Sequence, residues 1–228
     1  MAKNTTHKLV KLNKSSYDKI AEQFSFSRNY VWPDLQVFQD YVNDGDKVLD
    51  LGCGNGRLVD LLKTKKIDYL GTDYSQGLID CATKNYPDKK FEVQDALNLS
   101  LPENSFDVVL CVSVLNHIPK KFQQKFIENV YKVLKPGGLL LLSNWSMWNF
   151  KSKKSIWKIN FRKLKFTKNV ITKWRGNVNT VPLFYYAFTK GDIEKLLEGF
   201  DVSKNFYSRK GKDVGWMHGQ NIITVAKK

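Results

Sequence analysis

KVLDLGCGNG, residues 47–56, decides the fold, because a short apolar run ends there in a loop with three alternating glycines. The apolar run is typical of a buried strand. Glycines at its end let the backbone turn sharply and approach a ligand at the carboxyl edge of a parallel sheet. The spacing G-x-G-x-G is one residue tighter than the G-x-G-x-x-G of NAD enzymes, and the chain has no P-loop motif. The segment therefore predicts a strand–loop–helix ligand site that is neither of these two types.

Strands and helices alternate on both sides of this segment. The run over 106–112 is apolar enough for burial on both faces. Ser75 and Thr189 are predicted N-caps, and Asp192 is the acidic third position after Thr189. The last two strands are separated only by a short turn, which favours an antiparallel pair. We predict an α/β fold, doubly wound, with a mostly parallel seven-stranded sheet and an antiparallel last strand. Predicted strands are 47–51, 69–72, 90–94, 106–112, 139–143, 200–207 and 221–226, and predicted helices are 16–23, 34–42, 56–65, 76–85, 122–134 and 191–197.

The composition is that of a globular domain. The chain has 228 residues, a mass of 26.4 kDa and 42% hydrophobic residues, which is enough for one large core. The longest aliphatic run, 139–142, is far short of the ~20 residues that span a bilayer. The N-terminus has no apolar signal segment, and the three cysteines have no paired spacing. We expect a cytoplasmic protein without disulfides and without a metal site.

Much of the net charge of +15 lies in one stretch. Residues 151–175 contain 10 of the 37 basic residues and no acidic one, interleaved with Trp157 and Trp174. Basic side chains for phosphates and flat rings for bases are typical of nucleic-acid binding, which we favour over a merely solvated face. The alternative partner is an anionic membrane surface. Either tryptophan is expected to stack on a base or to anchor the stretch. The predicted phosphate contacts are Lys158, Arg162, Lys163 and Lys165.

Four motifs in order resemble the class I S-adenosylmethionine-dependent methyltransferases. They are Asp-x-Gly-x-Gly-x-Gly at 50–56, Asp73 after the second strand, Asp95 after the third, and LKPGG at 134–138. The resemblance implies a Rossmann-like methyltransferase fold and S-adenosyl-L-methionine as the cofactor. It also implies that Asp73 accepts hydrogen bonds from both ribose hydroxyls and that Asp95 binds the adenine amino group. The implied cofactor-binding residues are Arg28, Asp50, Gly52, Cys53, Gly54, Asn55, Gly56, Asp73, Tyr74, Asp95, Ala96 and Leu97.

A narrower resemblance covers nearly the whole chain outside the basic stretch. YDKIAEQFSFSR at 17–28, DYSQGLI at 73–79 and FYYAFTKGD at 184–192 are similar to the tRNA wobble-uridine carboxymethyl methyltransferases. This resemblance implies methylation of a carboxylate on tRNA, with a small activator subunit as a candidate partner. Two positions depart from the family. Asn116-His117 stands where the family tends to have paired histidines, and 183–184 lacks its usual arginine, a natural partner for a substrate carboxylate.

Several residues are candidates for the chemistry. His117 is a candidate general base if the acceptor is a hydroxyl or an amine, whereas a carboxylate acceptor needs no base. The alternative is that His117 is a core residue. Asn116 is expected to orient the substrate or to cap a turn, and Arg28 to bind the methionine carboxylate or a substrate anion. Candidate lids over the cofactor are Tyr17 and Trp32, and candidate acceptor-pocket residues are Tyr185 and Tyr186.

The preferred interpretation is a single methyltransferase domain over 1–228 that acts on tRNA. Its expected parts are an N-terminal helical cap at 1–45, a cofactor-binding core at 46–145, a basic aromatic insert at 146–188, and a C-terminal helix and strand pair at 189–228. The alternatives are a methyltransferase for a small-molecule or lipid-linked acceptor and a catalytically silent RNA-binding subunit. The glycine spacing disfavours an NAD oxidoreductase, and we find no DNA-binding motif.

Overall fold

The computed structural model describes residues 2–149, 156, 167–176 and 179–228, and the side chains from residue 6 onward within these ranges. Short connections join most of the elements in these ranges. In chain order they are α1 Ala2–Ser27, a 3-10 helix Pro33–Tyr41, β1 Lys47–Leu51, α2 Leu58–Leu62, β2 Asp68–Asp73, α3 Gln76–Asn85, β3 Lys90–Val93, β4 Phe106–Val112, a 3-10 turn Leu115–His117, α4 Lys120–Val133, β5 Leu134–Trp145, β6 Asn169–Arg175, β7 Thr180–Tyr186, α5 Lys190–Leu196, β8 Asp201–Arg209, β9 Lys212–Asp213 and β10 Asn221–Lys227.

The central sheet has the strand order β3-β2-β1-β4-β5-β10-β8-β9. Strands β1 to β5 are parallel, and β10 is antiparallel to both β5 and β8. The predicted doubly wound α/β fold is therefore confirmed, including the antiparallel last pair. The sheet has eight strands instead of the predicted seven, because the two-residue strand β9 adds to β8 at the edge. Two residues are too few to form a periodic pattern that sequence could reveal.

Apolar side chains fill both faces of the sheet. The 3-10 helix and α2 cover one face, where Phe38 and Leu61 pack against Leu110 and Val225. Helices α4 and α5 cover the other face, where Phe126 and Ile193 belong to the same buried cluster. This arrangement leaves the carboxyl ends of β1, β2 and β4 free to form a ligand site. Within the described residues, no helix is long and apolar enough to cross a membrane.

Local capping signals predicted two helix starts correctly. The Ser75 hydroxyl accepts a hydrogen bond from the Leu78 N–H at the start of α3. Thr189 and Asp192 form a complete capping box at the start of α5, with each side chain bound to the backbone of the other residue. Such caps satisfy N–H groups that have no partner within the helix.

Three elements differ from the prediction because their tertiary contacts outweigh a weak local pattern. Helix α1 has 26 residues instead of the predicted eight, and it packs against α3 and β7. Strand β5 extends from the predicted 139–143 to 134–145, because β10 pairs with it as far as Trp145. The predicted helix 34–42 is a 3-10 helix.

Strands β6 and β7 form a separate antiparallel hairpin that was not predicted. Its inner side chains Trp174, Val181 and Leu183 pack against Ile20 of α1. The last seven residues of the basic stretch therefore form a strand. Trp174 is buried in this cluster, so it acts as an anchor and not as an exposed platform for a base. Trp157 lies outside the described residues.

Asp34 joins the start of the 3-10 helix to the sheet. Its carboxylate is buried and accepts hydrogen bonds from the Ser208 hydroxyl, the Gly211 N–H and the Asn221 amide. We expect Asp34→Ala to lower the free energy of unfolding by about 3 kcal/mol, because two buried donors and one partly buried donor lose their acceptor. Urea unfolding measures this loss. Asp40→Ala, an exposed position in the same helix, is the control and should change stability little. Equal stability of both variants would contradict this role.

Candidate active site

A cavity of about 570 Å³ opens at the carboxyl edge of the sheet. The glycine loop after β1, the ends of β2 and β4, helix α1 and hairpin β6–β7 all contribute to its wall. The structure thus brings together residues that are far apart in sequence. Of the residues predicted for cofactor, acceptor or chemistry, those lining the cavity are Tyr17, Arg28, Trp32, Asp50, Gly52, Cys53, Gly54, Asn55, Asp73, Tyr74, Asp95, Ala96, Asn116, His117 and Tyr185.

Gly52 sets the shape of the loop. Its φ is +78°, and its N–H donates a 2.6 Å hydrogen bond to the Thr72 carbonyl. A Cβ at this position would lie 2.1 Å from Cγ2 of Val114. Only glycine combines this backbone conformation with so close an approach. The loop is therefore pressed against the segment after β4, and its next residues face the cavity.

Asp73 is held in one orientation at the end of β2. Its Oδ2 accepts a hydrogen bond from the Gly54 N–H at 3.0 Å, and its Oδ1 accepts one from the Ser75 N–H at 2.9 Å. Burial raises the pKa of this carboxyl, while these backbone hydrogen bonds oppose the rise. Each oxygen keeps a second lone pair. The carboxylate can therefore accept hydrogen bonds from two hydroxyls on one ligand, as a ribose diol requires.

Asp50 is a fully buried carboxyl beside the glycine loop. Its Oδ2 accepts a 2.7 Å hydrogen bond from the Tyr69 hydroxyl, while its Oδ1 has no partner among the described residues. Burial raises the pKa of Asp50 to about 7. A cationic ligand group would stabilise the ionised form. These features fit a ligand with an ammonium group near the loop and a diol near Asp73.

Asp95 lies in a tight turn after β3. Its Oδ1 accepts a hydrogen bond from the Leu97 N–H at 2.9 Å, and its Oδ2 accepts one from the Asn98 amide at 2.9 Å. Asp95 and Ala96 line the cavity. Leu97 instead packs into the core under α4, so it does not face a ligand. The turn thus presents a carboxylate and a small apolar residue, which suits a planar heterocycle with an amino group.

His117 is hydrogen-bonded on both ring nitrogens. Its Nδ1 lies 2.8 Å from the Phe184 carbonyl and its Nε2 lies 2.9 Å from the Tyr17 hydroxyl. The Phe184 carbonyl only accepts, so it favours a proton on Nδ1 with Nε2 accepting from Tyr17. The Asn13 amide nitrogen, 3.0 Å from Nδ1, favours the other tautomer, and in both tautomers the acceptor nitrogen faces a donor. Burial lowers the pKa of His117 to about 4, although the Phe184 carbonyl favours the protonated form. The ring is therefore neutral, and its one lone pair is already used.

Asn116 and Asn13 are clamps between elements. The Asn116 amide donates to the Tyr186 carbonyl at 3.1 Å, and its oxygen accepts from the Trp145 N–H at 2.8 Å. Asn13 of α1 forms the same two-sided contact with the backbone of Phe184, at 3.0 and 2.8 Å. Asn116 thus connects β5 to the hairpin, and its amide group is used in hydrogen bonds to the backbone.

Two arginines line one side of the cavity. Arg28 follows α1, and its Nη1 donates to the Ser27 carbonyl at 3.1 Å. Arg57 follows the glycine loop, and its guanidinium carbon lies 4.2 Å from the centre of the Trp32 ring. Asn55 is buried and donates to the Arg28 carbonyl at 3.1 Å, so it ties the loop to the segment that carries Arg28.

Some predicted residues do not line the cavity. Gly56 does not face the cavity, and its role is to let the loop turn, since its φ is +80°. Tyr186 points away from Tyr185, because neighbouring side chains of a strand face opposite ways, and it packs against Phe188 in the core. The predicted contacts Lys158, Arg162, Lys163 and Lys165 lie outside the described residues.

Sequence reasoning missed several residues that line this site, among them Arg57, Asn13 and Trp145. Arg57 directly follows the third glycine, which is a signal that could have been used. Asn13 has no signal, because it precedes the predicted start of the first helix. Trp145 lies two residues beyond the predicted end of the fifth strand, where its ring contacts Tyr185 at 5.3 Å between centroids.

Comparison with known proteins finds a matching family model and relatives of similar sequence. A family model described as "Methyltransferase domain" matches residues 49–142. The chain is 35% identical over 132 residues to a tRNA (carboxymethyluridine(34)-5-O)-methyltransferase of Arabidopsis thaliana, covering 57% of this chain and 31% of that protein. It is 32% identical over 132 residues to the Saccharomyces cerevisiae protein of that name, covering 58% of this chain and 47% of that protein. The chain thus spans less than half the length of these relatives.

Solved structures agree on the fold. A methyltransferase of Methanosarcina mazei matches with a TM-score of 0.67 and 23% identity, covering 84% of this chain and 96% of that one. A complex of the Haloferax volcanii Trm112 methyltransferase activator with a putative methyltransferase matches with a TM-score of 0.65 and 17% identity, covering 92% and 96%. The resemblances found in the sequence are thereby confirmed: residues 49–142 match a methyltransferase domain, and the chain has the fold of solved S-adenosylmethionine-dependent methyltransferases.

Proposed function

We propose that this chain is an S-adenosylmethionine-dependent methyltransferase that methylates a carboxylate on the wobble uridine of tRNA. The observation that carries the methyl-transfer part is the Asp73 carboxylate, which two backbone N–H groups aim at a cavity lined by the glycine loop. The tRNA part is supported by the names of relatives that are 35% and 32% identical. We propose the same division into cap, core, insert and C-terminal pair that the sequence predicts.

The cofactor, when bound, supplies a methyl group on a sulfonium centre, which is a good leaving group. Asp73 would bind the ribose hydroxyls, Asp95 the adenine amino group and Asp50 the ammonium group. Tyr17 and Trp32, which line the cavity, would exclude water from it. The protein's contribution is then mainly to position the two reactants and keep the site dry.

The state of His117 favours an acceptor that needs no base. A neutral ring whose lone pair already faces a donor is a weak proton acceptor. A hydroxyl or amine acceptor would need such a base, whereas a carboxylate does not. His117 is then a positioning residue that joins α1 to the hairpin.

The described basic residues support an RNA acceptor over a small molecule. Lys173 and Arg175 are exposed on β6, on the strand whose Trp174 lines the cavity. Because they alternate with Trp174 along the strand, they would place positive charge on the outer face of the hairpin that forms a wall of the cavity, where an RNA backbone could contact them. No observation on the described residues supports the alternative of an anionic membrane surface. A small activator subunit, like the one in the Haloferax volcanii complex, belongs to the proposal as a partner.

Asp73→Ala tests the donor site. We expect the variant to bind S-adenosylmethionine more weakly by about 1–3 kcal/mol, the scale of lost charge-assisted hydrogen bonds. Calorimetry measures the loss. Asp68→Ala removes an exposed carboxylate at the other end of β2 and should leave the affinity unchanged. If a folded Asp73→Ala protein binds as well as the unchanged chain, the donor-site assignment is wrong.

The buried His117 predicts a pH dependence of stability. Its pKa is about 4 in the folded protein, whereas an unfolded histidine titrates near 6.5. The unfolded chain therefore binds more protons between these values, so stability is complete above about pH 6.5 and falls as the pH drops towards 4. The free energy of unfolding therefore decreases between about pH 6.5 and pH 4. We expect this decrease to be smaller by about 1–2 kcal/mol in His117→Gln.

Denaturant unfolding at several pH values measures the effect, with exposed His218→Gln as the control. An unchanged pH profile in His117→Gln would show that the ring is not held neutral.

The turnover number of His117→Gln is a second test of its role. A positioning role predicts a modest decrease, while a loss of about 10²–10⁴-fold would identify a general base and reject the carboxylate acceptor.

Salt titration of tRNA binding tests the acceptor class. We expect the double variant Lys173→Glu, Arg175→Glu to bind tRNA more weakly, with a slope of log affinity against log salt that is shallower by about 1.5. The control is Lys63→Glu, Lys66→Glu, which are exposed near the opposite edge of the sheet. Unchanged affinity and slope would remove this hairpin from the RNA site. Absence of salt-dependent binding in the original chain would favour the small-molecule alternative.

A further inference from the structure

Helix α1 and hairpin β6–β7 form a wall with a second cavity on its outer side. Tyr17 of the helix lines the candidate active site, whereas Ser15 and Lys19, two residues to either side of it, line the second cavity. This cavity has a volume of about 400 Å³ and runs between α1 and residues 179–182 of the hairpin. We call it the outer groove. None of the roles described above uses it.

Side-chain hydrogen bonds fix the two sides of the outer groove. The Ser16 hydroxyl donates to the Pro182 carbonyl at 2.7 Å, and the Asn179 amide donates to the Lys19 carbonyl at 3.3 Å. The helix thus covers the edge of β7, where a further strand would otherwise pair. Because the groove is formed before a ligand arrives, binding there loses little entropy in the protein.

Lysines of α1 border the outer groove. Lys19 lines it and is exposed, and Lys11 is exposed two turns earlier. Ser15 of the groove lies four residues from each of them, so the three share one side of the helix. Neither lysine belongs to the ion pairs found among the described residues. Their charges are therefore available to a ligand.

The hairpin adds two cations on the same side. Lys173 pairs across the strands with Pro182, and Arg175 pairs with Thr180. Side chains directly opposite each other in an antiparallel pair lie on the same face, and Pro182 and Thr180 line the outer groove. No described residue that lines the groove is acidic. The groove therefore suits an anion.

The spacing of the lysines fits a chain of phosphates better than one small anion. Lys11 and Lys19 are eight residues apart, which is about 12 Å along the helix axis. Each can thus meet a different phosphate of an extended strand, as in the basic grooves that follow a single-stranded backbone. A single phosphate would contact only part of this surface.

An exposed aromatic ring lies further along this side of α1. Phe26 is 81% exposed and lies seven residues after Lys19, with Glu22 as the acidic residue between them. Its backbone is nevertheless fixed, because the buried Asn55 amide donates to backbone carbonyls on both sides of it, at 3.3 and 3.1 Å. A flat apolar ring held in solvent offers a base a surface to stack on.

We propose that the outer groove and the exposed side of α1 bind a single-stranded segment of the tRNA. Its phosphates would contact Lys11, Lys19 and the two hairpin cations, and one of its bases would stack on Phe26. The proposal rests on the proposed function and adds a path for the RNA backbone outside the cavity. Basic and aromatic side chains along one surface favour a nucleic acid over a protein partner.

Salt titration of binding to whole tRNA tests the phosphate contacts. The variant is Lys11→Glu, Lys19→Glu, and the control with the same change of charge is Lys63→Glu, Lys66→Glu, near the opposite edge of the sheet. We expect the groove variant to lose about 10-fold in affinity, with a slope of log affinity against log salt that is shallower by about 1.5. Thermal unfolding should be the same for all three proteins, because the four lysines are exposed.

Phe26→Ala tests the stacking contact. We expect about 10-fold weaker tRNA binding with an unchanged salt slope, because the lost contact is not ionic. The control is Val93→Ala, which shortens another exposed apolar side chain on the edge strand β3. Unchanged affinity of Phe26→Ala would overturn the stacking contact. Light scattering that shows a dimer of the original chain and a monomer of Phe26→Ala would assign this side to a second copy of the chain and overturn the proposal.

The remaining outcomes separate this proposal from the proposed function. Unchanged affinity and slope in the groove variant overturn the outer groove as an RNA site, and so does an original chain that binds no tRNA. Displacement of tRNA by inorganic phosphate, but not by chloride at equal ionic strength, would assign the groove to a free phosphate and also overturn it. If the variants behave as expected but the original chain methylates no carboxylate on the bound tRNA, the proposed function fails and the groove stands.

Discussion

The hydrogen bonds at His117 hold the site together. In the tautomer that the Phe184 carbonyl favours, the imidazole accepts a hydrogen bond from the Tyr17 hydroxyl of α1 on Nε2, and it donates one from Nδ1 to the Phe184 carbonyl of the hairpin. Asn13 reinforces the joint by pairing with the Phe184 backbone in both directions. Together with the hydrogen bond from the Asn116 amide to the Tyr186 carbonyl, this junction connects the first helix and the hairpin to the segment after β4 and closes the cavity at the sheet edge. Its closure depends on a neutral imidazole, so the structural role and the low basicity of His117 have one cause.

The charges around the cavity are distributed by function. Carboxylates stand on the sheet side, where Asp50 and Asp73 face groups with hydrogens to donate. Guanidinium groups stand at the other side, on Arg28 and Arg57, where they suit an anion. A zwitterionic nucleoside and a carboxylate acceptor both satisfy this pattern. The protein thus offers positioned charges and a closed wall, which is what an in-line displacement with a good leaving group requires.

Sequence predicted the parts of the fold that depend on local chemistry. The glycine loop, the Ser75 cap, the Thr189–Asp192 capping box and the apolar strand 106–112 each carry their own signal, and all are confirmed. The missed parts depend on tertiary contacts. Strand β6 alternates correctly but lies in a stretch whose lysines suggested a solvated or RNA-binding segment, and residues 2–15 of α1 are polar enough to hide a helix. Arg57 looked like an ordinary helix residue until the structure showed the ring of Trp32 above it.

We infer that this cavity binds a methyl donor's nucleoside and not a dinucleotide. The most direct measurement is a calorimetric titration of the original chain with S-adenosylhomocysteine and, separately, with NAD. We expect saturable binding of S-adenosylhomocysteine at one molecule per chain and no saturable binding of NAD. In a parallel NMR titration with S-adenosylhomocysteine, the backbone amide signals of residues near Asp73 should shift. Saturable binding of NAD, together with no heat and no shifts for S-adenosylhomocysteine, would contradict it.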